Sequence, residues 1–439
     1  MNQAEDPTPN HNPMHRVLGN FWILIRGRGA AAIMAFGATA LMARALGPVE
    51  FGLVILIHTY VMLIRALLDF GTGDAIVSFG VAAQDASDKL TLGKLIKVCR
   101  RIDKQASIVA ALLAWLVAPF FGPAIGMDDP KHVMLLMAYS TILLTPSASS
   151  AGGLLRLNDR FDIKGRQMTI APTIRFLGVL IAWGLAAPLE TFLAVWGAAY
   201  VAETVYLLWQ AKHKYRKQIN QSLEDGSLKS ASLKDFDGLR HFIWVTYWQS
   251  NIDLLPKHFT TLLVGHLFGP AEVGLLRLAR EIASALSRPA LLIRQVVFTD
   301  LTRAWNEGSA AFDLVAYRTA LLGGGLGMVF VALSYFFGEY LLGSLLGPEF
   351  IGAKDLLTLM LLAATLDLAT SPLLSGLYAM GHAIKTLRIT MVSTALYLVM
   401  FVLLTRQFGL IGAGLAASFG AALTLVGMIL LMHLNKRAP

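Results

Sequence analysis

Gly47-Pro48-Val49-Glu50-Phe51-Gly52 separates two apolar stretches of membrane-crossing length, and 222 positions later Gly269-Pro270-Ala271-Glu272-Val273-Gly274 does the same. A Gly-Pro turn leading into a second membrane-length segment, once in each half of a chain, is what the duplication of a helical bundle leaves behind. A third, looser copy, Gly347-Pro348-Glu349-Phe350-Ile351-Gly352, lies between two later segments. Because the turn recurs so readily, the hydropathy has to carry the duplication too.

Of 439 residues, 56% are apolar and only 15% charged, and the mean hydropathy is +0.60. That leaves too little polar surface for a soluble globule of this length. Apolar runs of about 17–25 residues read as spanning helices, and twelve are expected: 20–45, 51–72, 106–122, 133–153, 168–187, 191–211, 242–267, 273–297, 314–337, 354–376, 385–404 and 410–434. The expected fold is all-α, a polytopic membrane protein of twelve transmembrane helices in two six-helix lobes around a central cavity. The parts are an N-terminal tail (1–19), an N-lobe (20–211), a linker (212–241), a C-lobe (242–434) and a C-terminal tail (435–439).

Short loops rich in Lys and Arg stay in the cytoplasm. With the N-terminus inside, 25 basic loop residues fall on the cytoplasmic side, against Lys131, Lys354 and Arg406 outside. Both termini are therefore expected in the cytoplasm. The net charge of +9 is mostly this topological signal, meeting anionic lipid, and no nucleic-acid partner is implied. Residues 1–19 are polar, without an h-region or cleavage site, so span 1 is expected to insert uncleaved. The single Cys99 excludes an internal disulfide.

Charges inside spans are costly and are functional candidates by default. In span 8, Arg277, Arg280, Glu281, Ser284, Ser287 and Arg288 share one helical side, opposite Leu278, Ile282, Leu286 and Pro289. Three arginines against one glutamate suit a hydrated, anion-attracting surface. In span 2, His58, Met62, Arg65, Asp69 and Thr72 share a face, and Arg65 and Asp69 are spaced as an i,i+4 ion pair; the pair either lines a polar cavity or joins helices. Span 7 has a stripe of Thr246, Gln249, Ser250, Asp253, Lys257 and Thr260, in which Asp253 either neutralises Lys257 or couples transport to an ion. Arg26 of span 1 shares its face with Ala30, Ile33, Gly37 and Ala40. Arg175, Glu203 and Asp367 are isolated intramembrane charges. Gly323 and Gly327 read as a helix-packing pair.

Nothing matches a Walker loop, HExxH, a Cys pair or GxSxG, so no enzymatic activity, cofactor or metal is expected. The sequence Ala43-Arg44-Ala45-Leu46 before the first turn, Leu68-Asp69-Phe70-Gly71 followed by Asp74-Ala75-Ile76, and the Val264-Gly265 to Val273-Gly274 passage resemble the polysaccharide-transporter branch of the multidrug/oligosaccharidyl-lipid/polysaccharide exporter superfamily. The resemblance covers nearly the whole chain. It implies a flippase for undecaprenyl-pyrophosphate-linked oligosaccharides, such as O-antigen or capsule units, working by alternating access in the bacterial inner membrane. The lipid-linked oligosaccharide and membrane lipids would be its partners, with polysaccharide polymerase and chain-length machinery downstream. The chain is also similar to lipid II flippases, whose arginines in spans 1 and 2 find loose counterparts in Arg26 and Arg65; it has two spans fewer. Transport would draw on an ion gradient, of protons or sodium, on the membrane potential or on the substrate gradient; spans 11 and 12 contain no acid of the kind that holds sodium in the lipid II flippases.

The alternative is an ion-coupled drug-type exporter of the same superfamily. A drug exporter prefers an acidic cavity for cationic cargo, whereas the intramembrane charges run nine basic to five acidic, which favours an anion. A membrane polymerase would need a large outer loop, and a scaffold would not need charged stripes. The expected cargo-binding residues are Arg26, Arg65, Arg277, Arg280 and Arg288, and the expected coupling or ion-pair residues are Asp69, Asp253, Lys257 and Glu281.

Overall fold

The computed structural model describes residues 13–214, 231–286 and 309–434, less the side chains of 13–28, 214, 249, 252–255 and 309–313. Every expected span has a helical segment in these residues. A helical stretch Pro13–Leu67 is broken at Gly47 (φ 70°, ψ 175°) into α1 (13–46) and α2 (48–67). Only glycine enters that backbone region without strain, and Pro48 then occupies a first turn, where its missing N–H costs nothing. Gly269 (φ 93°, ψ −176°) and Gly347 (φ 116°, ψ 161°) repeat the geometry at the other two copies. As one unbroken helix, the 57 residues from Gly29 to Asp85 would reach about 85 Å at 1.5 Å per residue, nearly three times the apolar thickness of a bilayer.

Next come α3 (Thr72–Asp85), α4 (Lys89–Ala124), α5 (Pro130–Ser140), α6 (Ser149–Leu157), α7 (Phe161–Gly184) and α8 (Leu189–Lys214). The second half holds α9 (Leu239–Phe268), α10 (from 270, described to 286), α11 (Ser309–Leu345), α12 (Lys354–Ala379), α13 (Ala383–Phe408) and α14 (Leu410–Leu434). Among the described residues eight stretches are long and apolar enough to cross a membrane, the first containing the described part of α1 together with α2 and α3.

Two expected spans are broken. The second ends at Leu67 and resumes at Thr72 after left-handed Gly71. The fourth runs as α5, a 3-10 turn Thr141–Leu144, and α6, because Pro146 cannot donate to the ladder. The third is longer than its apolar part: α4 starts at Lys89, with the Asp88 carboxylate accepting from the Thr91 N–H at 3.0 Å. The side-chain and backbone bonds from Thr91 hold that exposed carboxyl below its usual range. The tails and most of the linker lie outside the described residues. Its last part is folded, with Ala231 buried and Leu233 and Phe236 packed on the core.

Pairwise registers set the direction of each helix. Tyr60 donates to the Ala114 carbonyl while Arg65 reaches Ser107, so α2 and α4 are antiparallel. Gly323 lies against Leu368, Gly327 against Thr365 and Gly338 against Lys354, which makes α11 and α12 antiparallel and places the expected glycine pair in helix packing. Across the halves, Tyr247 donates to the Leu67 carbonyl and Gly265 lies against Leu56, so α9 runs antiparallel along α2.

The repeated turns meet each other. A Cβ built on Gly52 would lie 1.7 Å from the Pro270 carbonyl oxygen and 3.2 Å from the Gly274 nitrogen, and one on Gly274 would lie 2.7 Å from the Pro48 carbonyl oxygen and 3.4 Å from the Gly52 nitrogen. Equivalent positions thus contact one another reciprocally, as a local two-fold requires. Beside them, Gly126 fits between Gly265 and Pro270, and His266 Nδ1 bonds the Ala124 carbonyl. The helices are tightly closed at this end, opposite the end rich in Lys and Arg (the basic end).

Candidate functional site

Below that closure lies a cavity of about 650 Å³ whose walls come from both halves: α2, α7 and α8 on one side, α9, α10, α12, α13 and α14 on the other. Its cations are Arg175, Lys257, Arg277 and Arg280, and its carboxylates are Glu281 and Asp367. Four against two leaves an excess of two positive charges in a cleft between low-dielectric walls, where the field on an anion is stronger than in open water.

The α10 stripe reaches this cavity because period 3.6 puts Arg277, Arg280, Glu281 and Ser284 on one side while Leu278 is fully buried on the other. Arg280 is held from α9, donating to Thr260 Oγ1 and Thr261 Oγ1, each at 2.9 Å. Thr260 in turn donates to the Pro256 carbonyl at 2.7 Å. Arg277 pairs with Glu281 at 2.8 Å. Its Nε and that of Arg175 are buried donors with no acceptor among the described residues. Arg175 lies 4.8 Å from the centroid of the buried Trp196 ring, a stacking that positions a guanidinium plane. His58 is tied to Tyr139, Nδ1 to Oη at 2.8 Å.

Of the expected cargo-binding residues, Arg277 and Arg280 line the cavity. Arg288 lies outside the described residues, as does the side chain of Arg26. Arg65 stands elsewhere, absent from the cavity wall: it donates to Ser107 Oγ at 2.7 Å and to the Leu143 and Thr145 carbonyls at 3.1 and 2.7 Å. Those carbonyls sit at the break that Pro146 makes in the fourth span, and a guanidinium supplies the donors that the interrupted ladder cannot. The i,i+4 pairing of Arg65 with Asp69 is likewise corrected. The helix stops at Leu67, Arg65 is committed to the break, and Asp69 accepts from the Gly71 N–H at 3.1 Å.

Among the expected coupling residues, Glu281 and Lys257 line the cavity. Asp253 sits on α9 with its side chain outside the description, and so does its pairing with Lys257. Arg175, Trp196, Asp367 and Tyr397 belong to the cavity wall without having been singled out for it. Arg175 and Asp367 carried the signal of a charge in an apolar segment; Trp196 and Tyr397 carried none.

Three comparisons bear on this arrangement. Residues 17–305 match the model of a family described as "Polysaccharide biosynthesis protein". The chain is 24% identical over 331 residues, 74% of its length and 91% of the relative's, to the inner membrane protein YghQ of Escherichia coli (strain K12). Among solved structures it is similar to the lipid II flippase MurJ in an inward closed conformation (TM-score 0.71, 11% identity, 93% of this chain and 87% of that one). It is also similar to an inward-facing multidrug resistance MATE family transporter of the MOP superfamily (TM-score 0.67, 14% identity, 92% and 94%). At such identities the structural likeness speaks for the fold.

Proposed function

The chain belongs to the polysaccharide biosynthesis protein family, and from that premise we propose that it is a flippase that carries undecaprenyl-pyrophosphate-linked oligosaccharide repeat units across the bacterial inner membrane by alternating access. Its fold is that of MOP-superfamily transporters. The observation that carries the reading is the set of three guanidiniums, Arg175, Arg277 and Arg280, around one cavity built from both halves. A guanidinium presents paired donors that match phosphate oxygens, so a pyrophosphate entering the cavity would meet such donors from α7 and α10. The sugar would follow it, while the polyprenyl chain stays in lipid beside the helices. Location in an inner membrane is supported by YghQ.

Coupling to a proton or sodium gradient would pass through Asp253 and Lys257. Polymerase and chain-length machinery would take the product on the far side. The alternative, a drug-type exporter, has the MATE likeness in its favour, but a cavity with four cations to two carboxylates repels the cationic cargo such a site would hold. The test is the distribution of lipid-linked repeat units in cells carrying Arg277→Ala or Arg280→Ala. Accumulation on the inner leaflet with the protein still inserted is expected. Normal export in both variants would remove the anion-binding reading.

A further inference from the structure

At the basic end, apart from the central cavity, a second cavity of about 690 Å³ opens between α4, the broken fourth span and α8. On the α4 side Lys97, Arg100, Arg101 and Lys104 follow one another at i, i+3, i+4 and i+7, a single stripe. Across from them α8 contributes Lys212 and, three residues earlier, Trp209, which is 56% exposed. The one carboxylate in the wall, Asp103, is buried and already engaged. It accepts from Thr72 Oγ1 at 2.6 Å and from the Ser150 N–H at 2.9 Å, joining α3 and α6. Arg101 gives one donor to the Ala231 carbonyl at 3.3 Å. Among the described residues no carboxylate pairs with Arg100, Arg101 or Lys104.

The level of this cavity is set by its own helices. The apolar run of α8 ends at Trp209 and gives way to Gln210, Lys212 and His213, and the uninterrupted apolar part of α4 starts just after Lys104. The cations therefore sit at the boundary between hydrocarbon and water, on the side that the positive-inside rule assigns to the cytoplasm. Val205 and Leu208, before Lys212 on α8, continue the wall toward the hydrocarbon. A free anion would gain nothing from them, whereas the first carbons of an acyl chain would.

We propose that this cavity is a binding site for the headgroup of an anionic phospholipid that carries two phosphates, of the cardiolipin type. Cations on two facing walls, with a single carboxylate between them that is already hydrogen-bonded to Thr72 and Ser150, suit two phosphodiesters bridged by a short linker better than one. Trp209, at interfacial depth, packs on the glycerol region, as tryptophans do at membrane boundaries. The site is independent of the transport reading and concerns only the first half of the chain.

The experiment uses the full-length protein in neutral detergent, with native mass spectrometry and thermal melting as readouts. The probes are cardiolipin, phosphatidylglycerol, phosphatidylethanolamine and inorganic pyrophosphate. Cardiolipin is expected to be retained and to raise the melting temperature, roughly tenfold more tightly than phosphatidylglycerol, in line with the contribution of each basic residue near an anionic surface. An Arg100→Gln/Lys104→Gln variant should lose that preference while melting normally without lipid, and Arg100→Lys should keep most of it. Quenching of tryptophan fluorescence by brominated cardiolipin should fall in Trp209→Phe. Wild-type cardiolipin binding in the double variant overturns the site, and so does equal retention of phosphatidylglycerol. Displacement of cardiolipin by equimolar pyrophosphate would make it a soluble-anion pocket and also overturns the proposal.

Discussion

Three arginines that look alike in sequence have two opposite kinds of surroundings. Arg280 and Arg277 face an open cavity, whereas Arg65 is spent on the carbonyls of a broken helix. Replacing Arg277 or Arg280 by alanine removes one or two charge-assisted bonds to an anion, each roughly 1.5–3 kcal/mol, so repeat-unit translocation should fall at least about tenfold. The amount of inserted protein should stay unchanged. Arg280→Lys should recover part of the activity, because a single ammonium cannot span Thr260, Thr261 and a phosphate together. Arg65→Met should do the reverse. It leaves the Leu143 and Thr145 carbonyls without donors at roughly 1–3 kcal/mol each, so the melting temperature and yield should drop, measured on purified protein, before any transport defect is assessed. Periodicity shows which face of a helix is polar but not which neighbour meets that face, which is why the α10 stripe was legible and the position of Arg65 was not. Arg175, Trp196, Asp367 and Tyr397 come one from each of four helices, and such a set becomes a site only on packing.

Among the elements, the paired turns decide how closely the halves approach at the end away from the basic loops. Extending Gly52 by one methyl places it 1.7 Å from a main-chain oxygen, where ordinary contact begins near 3.4 Å. Gly52→Ala should therefore hold the two ends apart and favour the state open on that side. Spin labels on the loops near Gly126 and Gly347 should report a longer separation than in wild type, and an unchanged distance distribution would count against this closure. The Gly-Pro copies were legible as turns because Pro suits a first helical turn. Their contact with each other was not legible, since it depends on the packing of segments more than 200 residues apart. The break after Leu67 did have a local signal, Gly71 and Gly73 around Thr72, overridden by the apolar run that continues through Leu68.

At the scale of the molecule, the order of the helices followed from hydropathy, since every expected span holds a helical segment among the described residues, whereas the breaks that split the second and fourth spans did not. The partition into two lobes and the seat of coupling do not follow from apolar runs. Asp253→Asn is the informative variant for coupling. If Asp253 carries the coupling proton or cation, export should lose its response to imposed proton and sodium gradients while cargo still binds. Unchanged gradient dependence would leave Asp253 as a neutralising partner of Lys257 and place the energy source elsewhere.

The meeting of Gly52 with Gly274 also has a genetic consequence. When an enlarged residue clashes with a side chain, a second mutation that shrinks the neighbour can restore fit. Here the obstacle to Gly52→Ala is the carbonyl oxygen of Pro270, and the facing residue is already glycine, so no codon change at the partner position makes room. Suppressors of such a lesion should be missing from the turn itself and should map to residues along α2 and α10 that let a whole helix slide.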